Sequence, residues 1–66
     1  MSNEELLTLL RKMEESKRNS AEIQRCFGNK AEEMYLKGEA SALRDIMLAL
    51  ISPAYAETLR KNYCEE

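Results

Sequence analysis

At 66 residues and 7.6 kDa, the chain has room for one domain. A domain of this size hides only about 60% of its unfolded surface and usually needs a disulfide, a metal or a second chain for stability. It contains no His and no Trp, and its ten Lys and Arg against twelve Asp and Glu leave a net charge of −2. The commonest metal ligand and the usual neutral-pH general base are therefore missing, and the charge balance is too even to point to nucleic acid or a membrane.

Nine Leu, seven Ala and four Met stand against three Ile and no Val. Straight-chain and γ-branched residues keep their rotamer freedom in a helix, whereas β-branched ones favour strands. No Asn-Gly or Asp-Gly hairpin turn occurs. The fold class expected is all-α: residues 1–66 as one domain, a small bundle of three main helices with room for a short fourth, a long central helix, and a helical homodimer as its assembled form.

The first helix is expected at about residues 3–17. Ser2 and Glu5 have capping-box spacing, in which each side chain satisfies an orphan backbone N–H. Leu6, Leu7, Leu9, Leu10 and Met13 follow with helical periodicity and form a wide apolar face. The polar run Ser16-Lys17-Arg18-Asn19-Ser20 reads as a turn, and Asn19 with Glu22 offers a second capping box, so a short helix is expected over 20–27.

In the middle segment the apolar face changes sides. Ile23, Phe27, Ala31 and Met34 lie on one side of a helical wheel; Leu36, Ala40, Leu43, Met47 and Leu50 run at 4-3-4-3 spacing on nearly the other. Either the chain breaks near Gly28-Asn29, where Gly and Asn tolerate the left-handed conformation, or one helix serves two neighbours. The break is the preferred reading, followed by a helix over about 29–51. Gly38 sits inside that helix at a cost of about 1 kcal/mol relative to Ala, unless it allows a partner backbone to approach. Ser52-Pro53 then marks a boundary, with Ser52 as N-cap and Pro53 at the first position of a closing helix over about 53–63. Its stripe is Ala56, Leu59 and Tyr63, flanked by Tyr55, and Glu57 with Lys61 is an i, i+4 pair on the wet side.

Few residues suggest chemistry. Cys26 and Cys64 lie 38 apart, which is neither a redox CxxC nor a disulfide framework. Without His they close no zinc site within one chain, although two chains would supply four thiolates. Cys26 reads as a small buried hydrophobe and Cys64 as part of a fraying tail. The acidic start, Met-Ser-Asn-Glu-Glu, is unlike a secretory leader and suggests a cytoplasmic chain with reduced thiols. Glu14-Glu15 and Glu32-Glu33 point about 100° apart within each pair, so neither forms a dyad. Glu14 reaches Arg18 and Glu33 reaches Lys37 as solvated-face pairs.

Residues 23–29 superficially resemble the turn of a helix-turn-helix. However, Gln24 stands where a small residue is needed, and Lys30-Ala31-Glu32-Glu33 would bring two carboxylates towards phosphate. Arg11, Lys12, Lys17, Arg18, Arg25 and Lys30 form a basic patch of local charge +3 across residues 11–30. The run Ile46 to Ile51 is apolar on all sides but far short of the about 20 residues that span a bilayer. It suggests burial between neighbours.

The expected function is a non-catalytic helical interaction module, an adaptor or accessory regulator that docks on a larger protein. Its expected partners are a second copy of itself and another protein, with no cofactor, membrane or small-molecule substrate. The expected seam is Leu36, Ala40, Leu43, Met47 and Leu50. The alternative is a DNA-binding regulator using a degenerate helix-turn-helix over residues 20–37.

Overall fold

A computed structural model describes residues 1–63, all of whose regular structure is helical: α1 (Asn3–Cys26), α2 (Lys30–Ile51) and α3 (Pro53–Tyr63). Cys64 lies outside the described residues. At the start of α1, Ser2 Oγ accepts from the Glu5 N–H at 3.1 Å, and Glu5 Oε1 accepts from the Ser2 N–H at 3.3 Å, completing the capping box.

The turn expected at 16–20 does not form, and no separate 20–27 helix exists; α1 runs unbroken to Cys26. Nothing between Asn3 and Cys26 is Gly or Pro, so polarity alone has no means of ending the helix. Packing carries it through, because Ala21 is buried and Lys17 bridges to Glu39 of α2 at 3.3 Å. Along α1, Arg18 pairs at 2.8 Å with Glu14, whose carboxylate is half-buried and so not on a fully solvated face, and Arg25 pairs with exposed Glu22 at 3.5 Å.

The break comes at Gly28, whose φ of +75° is the left-handed conformation glycine adopts without strain. The Asn29 N–H donates to the Gln24 carbonyl at 2.9 Å, and the Gly28 N–H to that of Arg25 at 3.0 Å. This is a Schellman C-cap. Asn29 then caps α2 by accepting from the Glu32 N–H at 3.3 Å. The break assigns Ile23 and Phe27 to α1, but Ala31 and Met34 share α2 with the 36–50 stripe and stay exposed on its other side, so the switch of face persists within α2.

Because so short a turn joins them, α1 and α2 lie side by side and antiparallel. Contact extends far from the turn, since Met13 lines one groove with Leu43 and Ile46. A helix-turn-helix instead crosses its helices at about 90–120°, which confines contact to the turn. With Lys17 level with Glu39, the 3-4 spacing sets Leu10 at the height of Met47 and Ala21 at that of Leu36. Leu10, Ala21, Leu36, Ala40 and Met47 form the buried seam.

The stripe assigned to a second copy is therefore largely closed within one chain. Leu36, Ala40 and Met47 are buried, Leu43 is half-buried, and only Leu50 is exposed. Heptad-like spacing marks a packed face but carries no label for what packs on it, and α1, running nine residues past its expected end, takes that place.

Ser52 and Pro53 open α3 as expected. Ser52 Oγ accepts from the Tyr55 N–H at 3.2 Å, and α3 folds back along α2 until Leu59 and Tyr63 lie beside Gly38, Ala42 and Ile46. It touches α2 and not α1. The result is a flat layer of 39 × 32 × 14 Å with α2 in the middle.

Candidate functional site

A single layer of helices has two broad sides, and here they differ in chemistry. On one side, Met13 of α1 shares a groove with Ala42, Leu43 and Ile46 of α2; the next groove joins Ala42 and Ile46 to Leu59 and Tyr63 of α3. Ala42 and Ile46 line both grooves, so the two make one apolar face across all three helices. Helical periodicity extends it: Leu9 is one turn before Met13, Phe27 about four turns beyond it, Ile23 one turn before Phe27, and Tyr35 two turns before Ala42. Exposure agrees, at 41% for Met13, 48% for Ile46, 63% for Tyr35 and 80% for Phe27.

The other side is charged. Lys30, Lys37 and Arg44 recur at seven-residue spacing on α2 and therefore share one face. Lys37 Nζ meets Glu33 at 2.7 Å, and Glu33 is only 4% exposed. The expected Glu33–Lys37 pair forms, but it is no solvated-face pair, because the carboxylate is tucked against the hairpin near its turn. Lys37's hydrogen bond holds that carboxyl below the ordinary glutamate range. Burial opposes the effect, and the charges of Lys37, Lys30 and Arg25 add to it. Arg25, Gly28, Lys30, Glu33 and Lys37 line a shallow, open hollow at the turn.

Of the basic patch, Lys17, Arg18 and Arg25 are engaged with Glu39, Glu14 and Glu22. Arg11, Lys12 and Lys30 are exposed. The six do not converge on one surface: Lys17 lies at the α1–α2 seam, Lys12 points outward from α1, and Arg25 and Lys30 border the turn.

Two smaller expectations also change. Cys26 is exposed, not buried, because it sits two residues, or about 200°, around the helix from half-buried Gln24. Glu57 pairs with Arg60, whose Nε donates to it at 3.1 Å, instead of with Lys61.

A contact invisible in the sequence fastens α3. The Tyr55 hydroxyl donates to Asp45 Oδ1 at 2.7 Å. That bond, together with desolvation and the Asp45 charge, keeps the phenol above its ordinary value. Among the described residues, every buried side-chain polar atom has a hydrogen-bond partner, and no three His, Cys, Asp or Glu side chains group to hold a metal. No described helix is long and apolar enough to cross a membrane. Compared with known proteins, the chain matches no family model, no curated sequence and no solved structure.

Proposed function

We propose that this chain is a non-catalytic helical interaction module of the cytoplasm, an adaptor or accessory regulator that associates with itself and docks on a larger protein. One observation carries the reading: an open apolar face crosses all three helices of a single-layer structure. Stable domains pack at least two layers around a core. Among the described residues only Ala21 and Ala40 are essentially inaccessible, while Leu9, Met13, Ile23, Phe27, Tyr35 and Ile46 stay open. Contiguous apolar surface of this kind marks a binding site.

Phe27 and Tyr35 offer the large, semi-rigid anchors on which interface energy concentrates. The polar groups at the seams are engaged with one another, Lys17 with Glu39 as an ion pair and the Tyr55 hydroxyl with Asp45 as a hydrogen bond. The function follows from burial of the open face: apolar anchors give affinity, and the charged rim selects the partner.

A photo-crosslinking aromatic placed at Tyr35 in cells tests this, with the same group at Lys12 on the outer edge as control. Discrete protein adducts from position 35 and none from position 12 are expected. Equal, diffuse labelling from both, with a mobility shift of duplex DNA that weakens steeply with salt, would replace the module with the DNA-binding alternative.

A further inference from the structure

The open face should have a definite occupant, and three observations bear on which. The first is area. The chain exposes 5156 Å², roughly 850 Å² more than the 4,300 Å² or so expected of a compact monomer of 7.6 kDa. That surplus matches the about 800 Å² that each partner gives up in a standard interface.

The second is charge. A two-fold contact sets a patch against its own copy, so uncompensated charge within the patch repels itself. On the apolar side Lys17 is paired with Glu39, which leaves Asp45 as the groove's one carboxylate without an ion pair among the described residues, its oxygen held by the Tyr55 hydroxyl. On the opposite side Lys37 is likewise paired with Glu33, but Lys30 and Arg44 form no ion pair among the described residues and would meet like charge.

The third is Gly38. It lies inside α2, where Gly disfavours the helix relative to Ala, yet among the described residues an added Cβ there would meet nothing within 4 Å. None of the described residues uses the missing side chain. With Ala42 one turn on, it keeps the floor of the groove between α2 and the Leu59 and Tyr63 side chains of α3 low, leaving room above it for another helix.

We infer that the apolar side of the layer is the seat of a second copy of this chain, paired about a two-fold axis near Gly38 and Ala42 to make a two-layer helical sandwich with both charged sides outward. This rests on the interaction-module reading and names the occupant of that face. It also moves the self-association surface away from the Leu36, Ala40, Leu43, Met47 and Leu50 seam. A different protein on the same face is the competing outcome.

Sedimentation of the full chain across a wide concentration range tests the pairing, with circular dichroism to confirm folding. Wild type should approach twice 7.6 kDa. Ile46→Glu, which sets two carboxylates near the axis, should run as a single copy with its helix content intact. Gly38→Leu is a second variant: it favours the helix, its Cβ meets none of the described residues within 4 Å, and circular dichroism reports whether the longer side chain fits beside Leu59 and Tyr63. It too should run as a single copy. Arg44→Glu, on the charged side, should remain paired.

A paired wild type indifferent to both Ile46→Glu and Gly38→Leu would overturn the inference. So would a single-copy mass at every concentration, and nitration of Tyr35 and Tyr63 then separates two failures. Fast nitration means that the face is open and awaits another protein, so the self-association falls and docking on a different protein stands. Slow nitration means that the face is covered from within, and both readings fall.

Discussion

Replacing Leu36 by Ala separates a seam within the chain from a seam between chains. Leu36 is buried, on the α2 face that packs along α1. Truncating a buried Leu to Ala costs about 2–5 kcal/mol, the lower part applying where a site can relax. In a layer open on one side, about 2–3 kcal/mol is the expected loss. A domain of this size has roughly 3–10 kcal/mol in total, so the loss is a large share of it. The melting temperature should fall by about 10–20 °C, given 4–8 °C per kcal/mol for small domains. Urea and thermal unfolding followed by circular dichroism measure the loss, and light scattering in the cold measures the mass of the folded variant. Stability should drop while the folded mass stays that of wild type. A variant that keeps its unfolding free energy but falls to half the wild-type mass would return this seam to the contact between copies.

Three further outcomes follow from other parts of the hairpin. Gly28→Ala should destabilise by about 1–2 kcal/mol, because a Cβ is strained at a φ of +75°; urea midpoints measure this, and no change would mean that the turn does not hold the left-handed cap. Tyr55→Phe should speed amide exchange in α3 and leave α1 as it was, since the lost bond to Asp45 joins only α2 and α3. Uniform change along all three helices would contradict that division. Glu33 has a lowered folded-state pKa, so its contribution is present above the unfolded value of about 4.3 and is lost as pH falls through the folded value. The urea midpoint should thus decline on acidification below about pH 4–5, and Glu33→Gln should flatten that decline. An identical acid profile in the variant would assign the decline to other carboxylates.

Local chemistry was legible where a residue acts on its own backbone. Ser2 and Glu5, Gly28 with Asn29, and Ser52 with Pro53 mark helix ends in the sequence and do so in the structure, because caps and turns depend on neighbours only a few positions away. The 36-40-43-47-50 spacing likewise identified a packed face. What that face meets was not legible, since periodicity is the same whether the partner is α1 or another chain.

The false turn at 16–20 shows the same limit from the other side. Asn19 and Ser20 cap a helix only if the chain turns there, and burial of Ala21 against α2 decides that it does not. Glu33 and Lys37 have the spacing of any surface pair. Their depth depends on the height at which α1 crosses, which no local pattern records. The open face was half visible, as Leu9 and Met13 on one stretch and Ile23 and Phe27 on another. A continuous α1 is what joins them.

Concentration-dependent oxidation of the methionines addresses the unfinished layer most directly. Met13 lies on the apolar side, while Met34 points away from it, on the outer flank of α2, and both are exposed in the single chain. With peroxide and mass spectrometry, Met13 should oxidise more slowly as the protein is concentrated, and Met34 should keep one rate throughout. If Met13 oxidises at one rate from the most dilute to the most concentrated sample, nothing of its own kind settles on that side, and the second layer does not come from this chain.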